Sequence, residues 1–228
     1  MRQLIFSFNI NYDTVFGEEV LLNIVETDSK GAKKTSQFRM NNRDGKQWWY
    51  ELNRKEATLN TSLDYYYSVD CDWADSRHEW LTETHRLELS AVKGREYTVY
   101  DHWADVPEDS YLYSSAFTEC VNRRPLPSIR PSAYDKTVRL IVRAPQLRTF
   151  EQLAVVGKPK SMGAWDVFNA LPMYEHNYNE WIVDLNVESL DGEVLEFKFA
   201  ALNTADKQHP LWETGMNREI HLPEIKNG

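Results

Sequence analysis

Residues 195–201, LEFKFAA, place Leu195, Phe197 and Phe199 on one side of the chain and Glu196 and Lys198 on the other. Alternation with a period of two is the pattern of a strand with one buried and one open face. Residues 63–69, LDYYYSV, repeat it, with Tyr65 and Tyr67 where the phenylalanines stand. The same rhythm runs outward in both directions, through LIFSFNINY, EEVLLNIVE, QWWYELN and HRLELSAV upstream, and TVRLIVRAP, EQLAVVG, NEWIVDLNV and REIHLPE downstream. Asp/Asn/Gly clusters such as NNRDGK separate the runs, and no long helical period interrupts them. An all-β chain of sandwich type follows.

The two halves read as one unit used twice. LDYYYSV precedes HEWLTETHRLEL, and LEFKFAA precedes PLWETGMNREIHL, at matched spacing. On that spacing Trp80 answers Trp212, Arg86 answers Arg218, Tyr66 answers Lys198 and His85 answers Asn217. A shared period across several strands predicts a tandem repeat. The expected organisation is a first antiparallel, immunoglobulin-like sandwich over residues 1–100, an irregular linker or strap over 101–135, where proline and mixed charge replace alternation, and a second sandwich over 136–228.

Composition narrows the function. The 228 residues carry a formal charge of −9, and no basic stripe is present, so a nucleic-acid partner is not expected. The N-terminal MRQLIFSFNINYD lacks the apolar core of a signal peptide, and no run has transmembrane length. A cytoplasmic chain with no membrane partner is expected. Cys71 and Cys120 have no CxxC or Cys/His spacing, so they read as incidental thiols rather than a disulfide or a zinc site. The six histidines lack ligand spacing, there is no GxSxG or glycine-rich phosphate loop, and no carboxylate pair stands apart from the acidic surface. Neither cofactor, metal nor catalytic residue is expected in this chain.

Aromatic residues are abundant, at 13% with 8 Trp and 12 Tyr, and a few of them fall in loops. Trp165 sits in SMGAWD and Trp212 in HPLWETG, just before the last strand. A loop indole either covers a core or offers a flat apolar face to a ligand. A pyranose ring, with one C–H face and a fringe of hydroxyls, fits such a plate when donors such as Lys198 and Asn217 stand beside it.

AVVGKPKSMGAWDVFNALPM, NEWIVDL, EFKFA and LWETGMNREIHLP together resemble a family 20 carbohydrate-binding module, the starch-binding domain of amylolytic enzymes. The resemblance spans Thr137 to Glu224. It implies an α-glucan partner, starch, glycogen or maltodextrin, held by Trp165, Lys198, Trp212 and Asn217. It also points to Trp181 for a second site, although that residue reads equally as core. The first half resembles the same module, with VETDSKGAKKTSQFRMNN where the G-x-W turn would lie. There the first site is expected to be degenerate, and Phe16 and Trp48 fall near second-site positions, Trp48 reading more readily as core. Tandem modules followed by YDHWADVPEDSYLYSSAFTEC resemble the front of 4-α-glucanotransferases of the amylomaltase class (glycoside hydrolase family 77 type). That resemblance implies a catalytic barrel outside this chain and a role in holding such an enzyme on its substrate. The competing expectation is a structural or dimerisation tandem that positions the barrel without binding sugar.

Overall fold

The computed structural model describes residues 3–27, 30–55, 61–81, 84–90, 95–106, 108, 110, 114, 130–144, 147–190 and 192–222. The chain divides into two compact units, Met1–Asn122 and Arg123–Gly228. Most of the stretch expected as a linker, and Cys120 within it, lies outside the described residues; Cys71 is a free thiol.

In the first unit the elements run β1 (Gln3–Asn11), β2 (Glu18–Thr27), β3 (Lys33–Arg39), β4 (Asn41–Asn42), β5 (Gln47–Lys55), β6 (Ser62–Cys71), β7 (Arg77–His78), β8 (His85–Glu88) and β9 (Glu96–His102). They form two sheets, β4-β5-β1-β9 and β3-β2-β6-β7, with β8 also paired to β6. The alternating apolar positions face inward from both sheets. Phe6, Phe8, Leu22, Ile24, Tyr65 and Tyr67 are the heart of the resulting core. NNRDGK makes the β4–β5 turn, where the Asp44 carboxylate accepts from the amides of Lys46 (3.0 Å) and Gln47 (2.9 Å). The architecture is the expected β-sandwich, with one departure from full antiparallel pairing: β9 runs parallel to β1.

The second unit holds β10 (Thr137–Arg143), β11 (Glu151–Gly157), β12 (Leu171–Pro172), β13 (Tyr174–Asn177), β14 (Glu180–Asn186), β15 (Val194–Asn203), β16 (Leu211–Trp212) and β17 (Arg218–His221). Its sheets are β10-β14-β13 and β12-β11-β15-β16, with β17 on β15. The side chains expected to point inward from β15, Leu195, Phe197 and Phe199, meet Leu140, Val183 and Leu185 from the opposite sheet. Among the described residues, helix is limited to short 3-10 turns such as Lys160–Met162 and Val167–Asn169.

The outer face of β11 and β15 carries a second, smaller cluster of Ala154, Val156, Ala170, Ala200 and Leu202, with Val167 against it. Small side chains here let the segment between β11 and β12 lie flat on the sheet. That segment contains Trp165. In the first unit the corresponding path is different, because β2 runs on to Thr27 and pairs with β3 as a hairpin. Where the second unit has the G-x-W turn and the two-pair β11–β12 ladder, the first has the seven-pair β2–β3 ladder.

Candidate functional site

β15 sets the site. Glu196, Lys198 and Ala200 alternate onto its outer face, opposite the core residues. Trp212 on β16 is the direct cross-strand partner of Ala200, which in turn faces Ala154 of β11. Lys198 lies one step along the same face, opposite Val156. Asn217, just before β17, donates from Nδ2 to Glu196 Oε1 at 2.6 Å. Trp165 donates its amide to the Gly157 carbonyl at 3.0 Å, so its backbone is anchored at the end of β11, which pairs with Phe197. Lys198, Trp212 and Asn217 are therefore neighbours along β15, and the turn that carries Trp165 is fastened to the adjoining end of β11.

Both indoles are partly open to solvent, Trp165 at 37% and Trp212 at 39%. The Trp165 turn is conformationally demanding. Gly163, Ala164 and Trp165 all have positive φ, at 85°, 47° and 67°. For residues with a Cβ that region costs on the order of 1–3 kcal/mol each, and it persists only where the surroundings enforce it. Here the enforcement is visible: Ala164 donates to the Pro159 carbonyl, Asp166 donates to the Gly163 carbonyl, and the Asp166 carboxylate caps Phe168 and holds Asn169 Nδ2 at 2.7 Å. Lys207 Nζ clasps the Phe168 carbonyl at 2.7 Å from the loop after β15.

Polar groups order the other side. Lys198 Nζ donates to the Gly215 carbonyl at 2.7 Å and reaches the Glu213 carbonyl at 3.4 Å, binding the loop that carries Trp212. Glu213 clamps that loop to β15 by exchanging bonds with Phe199: its amide donates to the Phe199 carbonyl (3.0 Å), and its carboxylate accepts from the Phe199 amide (2.8 Å). Arg218 neutralises the same carboxylate at 2.9 Å. Glu196 and Glu213 were not singled out as site residues in the sequence, and Arg218 figured there only in the matching of the two halves. The signal for Glu213 was the acid directly after the loop Trp.

The residues expected for second sites separate. Trp181 (8% exposed) and Trp48 (3% exposed) are packed in the two cores, and Trp48 donates its indole N–H to the Tyr12 carbonyl at 3.2 Å. Their rings are core, the alternative left open by the sequence. Phe16 is fully exposed ahead of Gly17.

The ladders also correct the matching of the two halves. In the second unit Trp212 faces Ala200; in the first unit it is His78 that faces Ser68. Glu79 exchanges bonds with Tyr67 as Glu213 does with Phe199. His85 pairs with Tyr65 as Arg218 pairs with Phe197. Hence His78, not Trp80, holds the place of Trp212, and His85 holds that of Arg218 rather than Asn217. The β6–β7 connection is two residues shorter than the β15–β16 connection, since ladder partners lie 10 apart in one (78 − 68) and 12 apart in the other (212 − 200), so Trp80 meets the linear spacing two residues past the ladder position.

Around His85 the first unit builds a buried polar knot. His85 Nε2 lies 3.1 Å from Glu79, and its ring stacks on Tyr65 at 5.1 Å. Tyr65 and Tyr67 both donate to Asp101 Oδ2, at 2.9 and 2.7 Å. Burial pushes the Asp101 carboxyl above its ordinary value, against the pull of His85 and the two phenols. Burial and the nearby Asp101 push both phenols well up. Among the described residues no group of His, Cys, Asp and Glu is arranged to hold a metal ion, and no helix is long and apolar enough to cross a membrane.

The fold and this face define a β-sandwich with partly exposed indoles beside a lysine and an asparagine. Residues 136–228 match the family model described as the Starch binding domain. Among solved structures, the chain is similar to the family 20 carbohydrate-binding module of the maltotetraose-forming amylase of Pseudomonas saccharophila STB07, at 20% identity over 39% of this chain and 91% of that one, with TM-score 0.35. It is also similar to the glycoside hydrolase family 15 glucoamylase of Hypocrea jecorina, at 23% identity, covering 46% of this chain and 17% of that one, TM-score 0.32. A third similarity is to the gamma-CGTase of alkalophilic Bacillus clarkii, at 16% identity, 82% and 20% coverage and TM-score 0.34. Comparison with curated proteins finds no match.

Proposed function

We propose that the second unit binds α-linked glucan, with Trp165 and Trp212 as stacking plates and Lys198 and Asn217 as hydroxyl donors, and that it holds a parent 4-α-glucanotransferase on polymeric substrate. The observation that supports this reading is that Lys198, Trp212 and Asn217 lie along β15 and its neighbours, with the turn carrying Trp165 fastened to the end of β11, inside the segment that matches the Starch binding domain. A sugar ring laid on an indole buries its C–H face, and its hydroxyls then reach the ammonium and carboxamide at the margin. No step of bond cleavage is required of these residues. The ligand is neutral and the site open, so much of the contact energy is spent on ordering, and a Kd of roughly micromolar to millimolar is expected.

The first unit lacks this constellation: His78 and Tyr66 occupy the places of Trp212 and Lys198, and a hairpin replaces the Trp165 turn. That favours a structural role for its equivalent face. Calorimetric titration with maltoheptaose tests the proposal. Trp212→Ala should weaken the second unit's binding by about 1–3 kcal/mol, the scale of one lost stacking plate, while its melting temperature stays put, and undiminished binding would refute the site.

A further inference from the structure

On the outer face of the first unit's β4-β5-β1-β9 sheet, the residues at neighbouring positions differ in size in a regular way. Beyond Ile5, central strand β1 contributes short polar side chains to this face, Ser7, Asn9 and Asn11, alternating with the buried Phe6, Phe8 and Ile10. Ser7 lies between Glu51 and Thr98, but next to Asn9 and Asn11 the strands on either side place large side chains. Asn9 faces Trp49 of β5 on one side and Tyr100 of β9 on the other. Asn11 likewise lies between Gln47 and His102. Two strand spacings, about 10 Å, separate the flanking rows. The result is a trough along β1 with a polar floor and an aromatic residue on each wall.

The floor and walls are held in place. Asn9 Nδ2 donates to the Val99 carbonyl at 3.0 Å, which lays its carboxamide along the sheet. Arg43 sits over the Trp49 ring at 5.8 Å, taking up one face of the indole. Tyr100 is 64% exposed and Trp49 37%, so both rings have surface open to a ligand.

We infer that this trough is a second binding site, for a neutral oligosaccharide chain lying along β1 between Trp49 and Tyr100. The chemistry selects the ligand. Carboxamides and hydroxyls in the rows of Ser7, Asn9 and Asn11 pair with hydroxyls of either donor or acceptor sense, and aromatic walls suit C–H faces. A polyanion finds no row of cations here, and Glu51 and Glu96 stand on the same face towards one end. A protein partner of the usual kind would need a more apolar centre than a floor of Ser and Asn. This site shares no residue with the one proposed above and goes beyond that reading.

The test uses the full chain carrying Trp165→Ala and Trp212→Ala, so that the second unit's face is silent, titrated calorimetrically with maltoheptaose and, separately, with cellohexaose. Expected is binding of at least one of the two at one site per chain. Adding Tyr100→Thr, and independently Trp49→Thr, should weaken it about tenfold, the scale of one lost stacking contact. Threonine keeps strand propensity, and melting curves confirm that each variant is folded. Absence of binding by both sugars overturns the inference, as does unchanged affinity in both threonine variants. A concentration-dependent dimer dispersed by Tyr100→Thr would assign the face to a second copy of the chain and overturn it too. Failure here leaves the Trp212→Ala result in the otherwise intact chain untouched, so the two proposals fall separately.

Discussion

Gly163 is the residue on which the Trp165 turn depends. Its φ is +85°, and a Cβ added there would meet the Asp166 carbonyl oxygen at 2.5 Å and backbone atoms of Asn169 at 2.9 Å. Backbone cannot step aside as a flexible side chain can. Gly163→Ala is therefore expected to cost about 1–3 kcal/mol of second-unit stability and to weaken glucan binding by displacing the indole; a thermal melt and a maltoheptaose titration on one sample check both. The ladder correction sharpens a second expectation at this scale. Trp80→Ala should leave maltoheptaose affinity unchanged, since Trp80 follows Glu79 and does not hold the place of Trp212, whereas Trp212→Ala should cost about 1–3 kcal/mol. Equal losses in the two variants would disprove the division of labour. Asp101 gives a pH dependence with an unusual sign. Its carboxyl is raised by burial above the ordinary 3.8, so the folded chain binds this proton more tightly than the unfolded chain. Its contribution is present below the ordinary value and is lost as pH rises through the folded one. Comparing melting temperature against pH for the natural chain and Asp101→Asn should show that the variant lacks this acid-side gain.

At the level of elements, each unit ties its late loop to its long central strand with one acid. Glu213 accepts from the Phe199 amide and from Arg218; the buried Glu79 accepts from the amides of Tyr67 (2.7 Å) and Ala104 (2.8 Å) and lies beside His85. Removing a carboxylate that satisfies two backbone donors strands them, at about 1–3 kcal/mol for each buried group. Glu79→Ala is expected to destabilise its unit more than Glu213→Ala does, because Glu79 is fully enclosed whereas Glu213 is partly open to water and its partner Arg218 half exposed. Chemical denaturation of both variants measures the difference. The same elements show what the sequence could convey. Alternation in LEFKFAA and LDYYYSV was enough to find β15 and β6, their facing and the sandwich, because a half-buried strand prints its period directly. The hairpin partner β3 was not seen, since KKTSQFR is exposed at most of its positions and carries little apolar signal. Trp48 and Trp181 illustrate the other limit: whether a strand-borne indole is core or plate depends on which sheet lies across from it, and that is a tertiary fact. The Trp80 match failed for a related reason, because linear spacing counts loop residues that the ladder does not. Lys198 shows an intermediate case, its position legible and its bond to the Gly215 carbonyl not.

For the whole molecule, charge separates the proposed ligand from the alternatives. The chain carries −9, and the proposed glucan carries nothing, so long-range attraction has no part in their association. Lys198 is the cation of the proposed face, and its ammonium already rests on two carbonyls and is turned towards the loop, not towards a charged partner. Stacking of C–H faces on indoles and hydrogen bonds between neutral hydroxyls and the margin are short-ranged, and salt screens only what acts over about 10 Å at 0.1 M. A protein gripping a polyanion behaves differently, losing about a thousandfold or more in affinity between roughly 50 and 200 mM salt through counterion release. Maltoheptaose affinity is therefore expected to change by less than about twofold across that same interval. Titrations at the two ends of the interval decide it, and a tenfold fall would mean that charge, not the pair Trp165 and Trp212, supplies the binding.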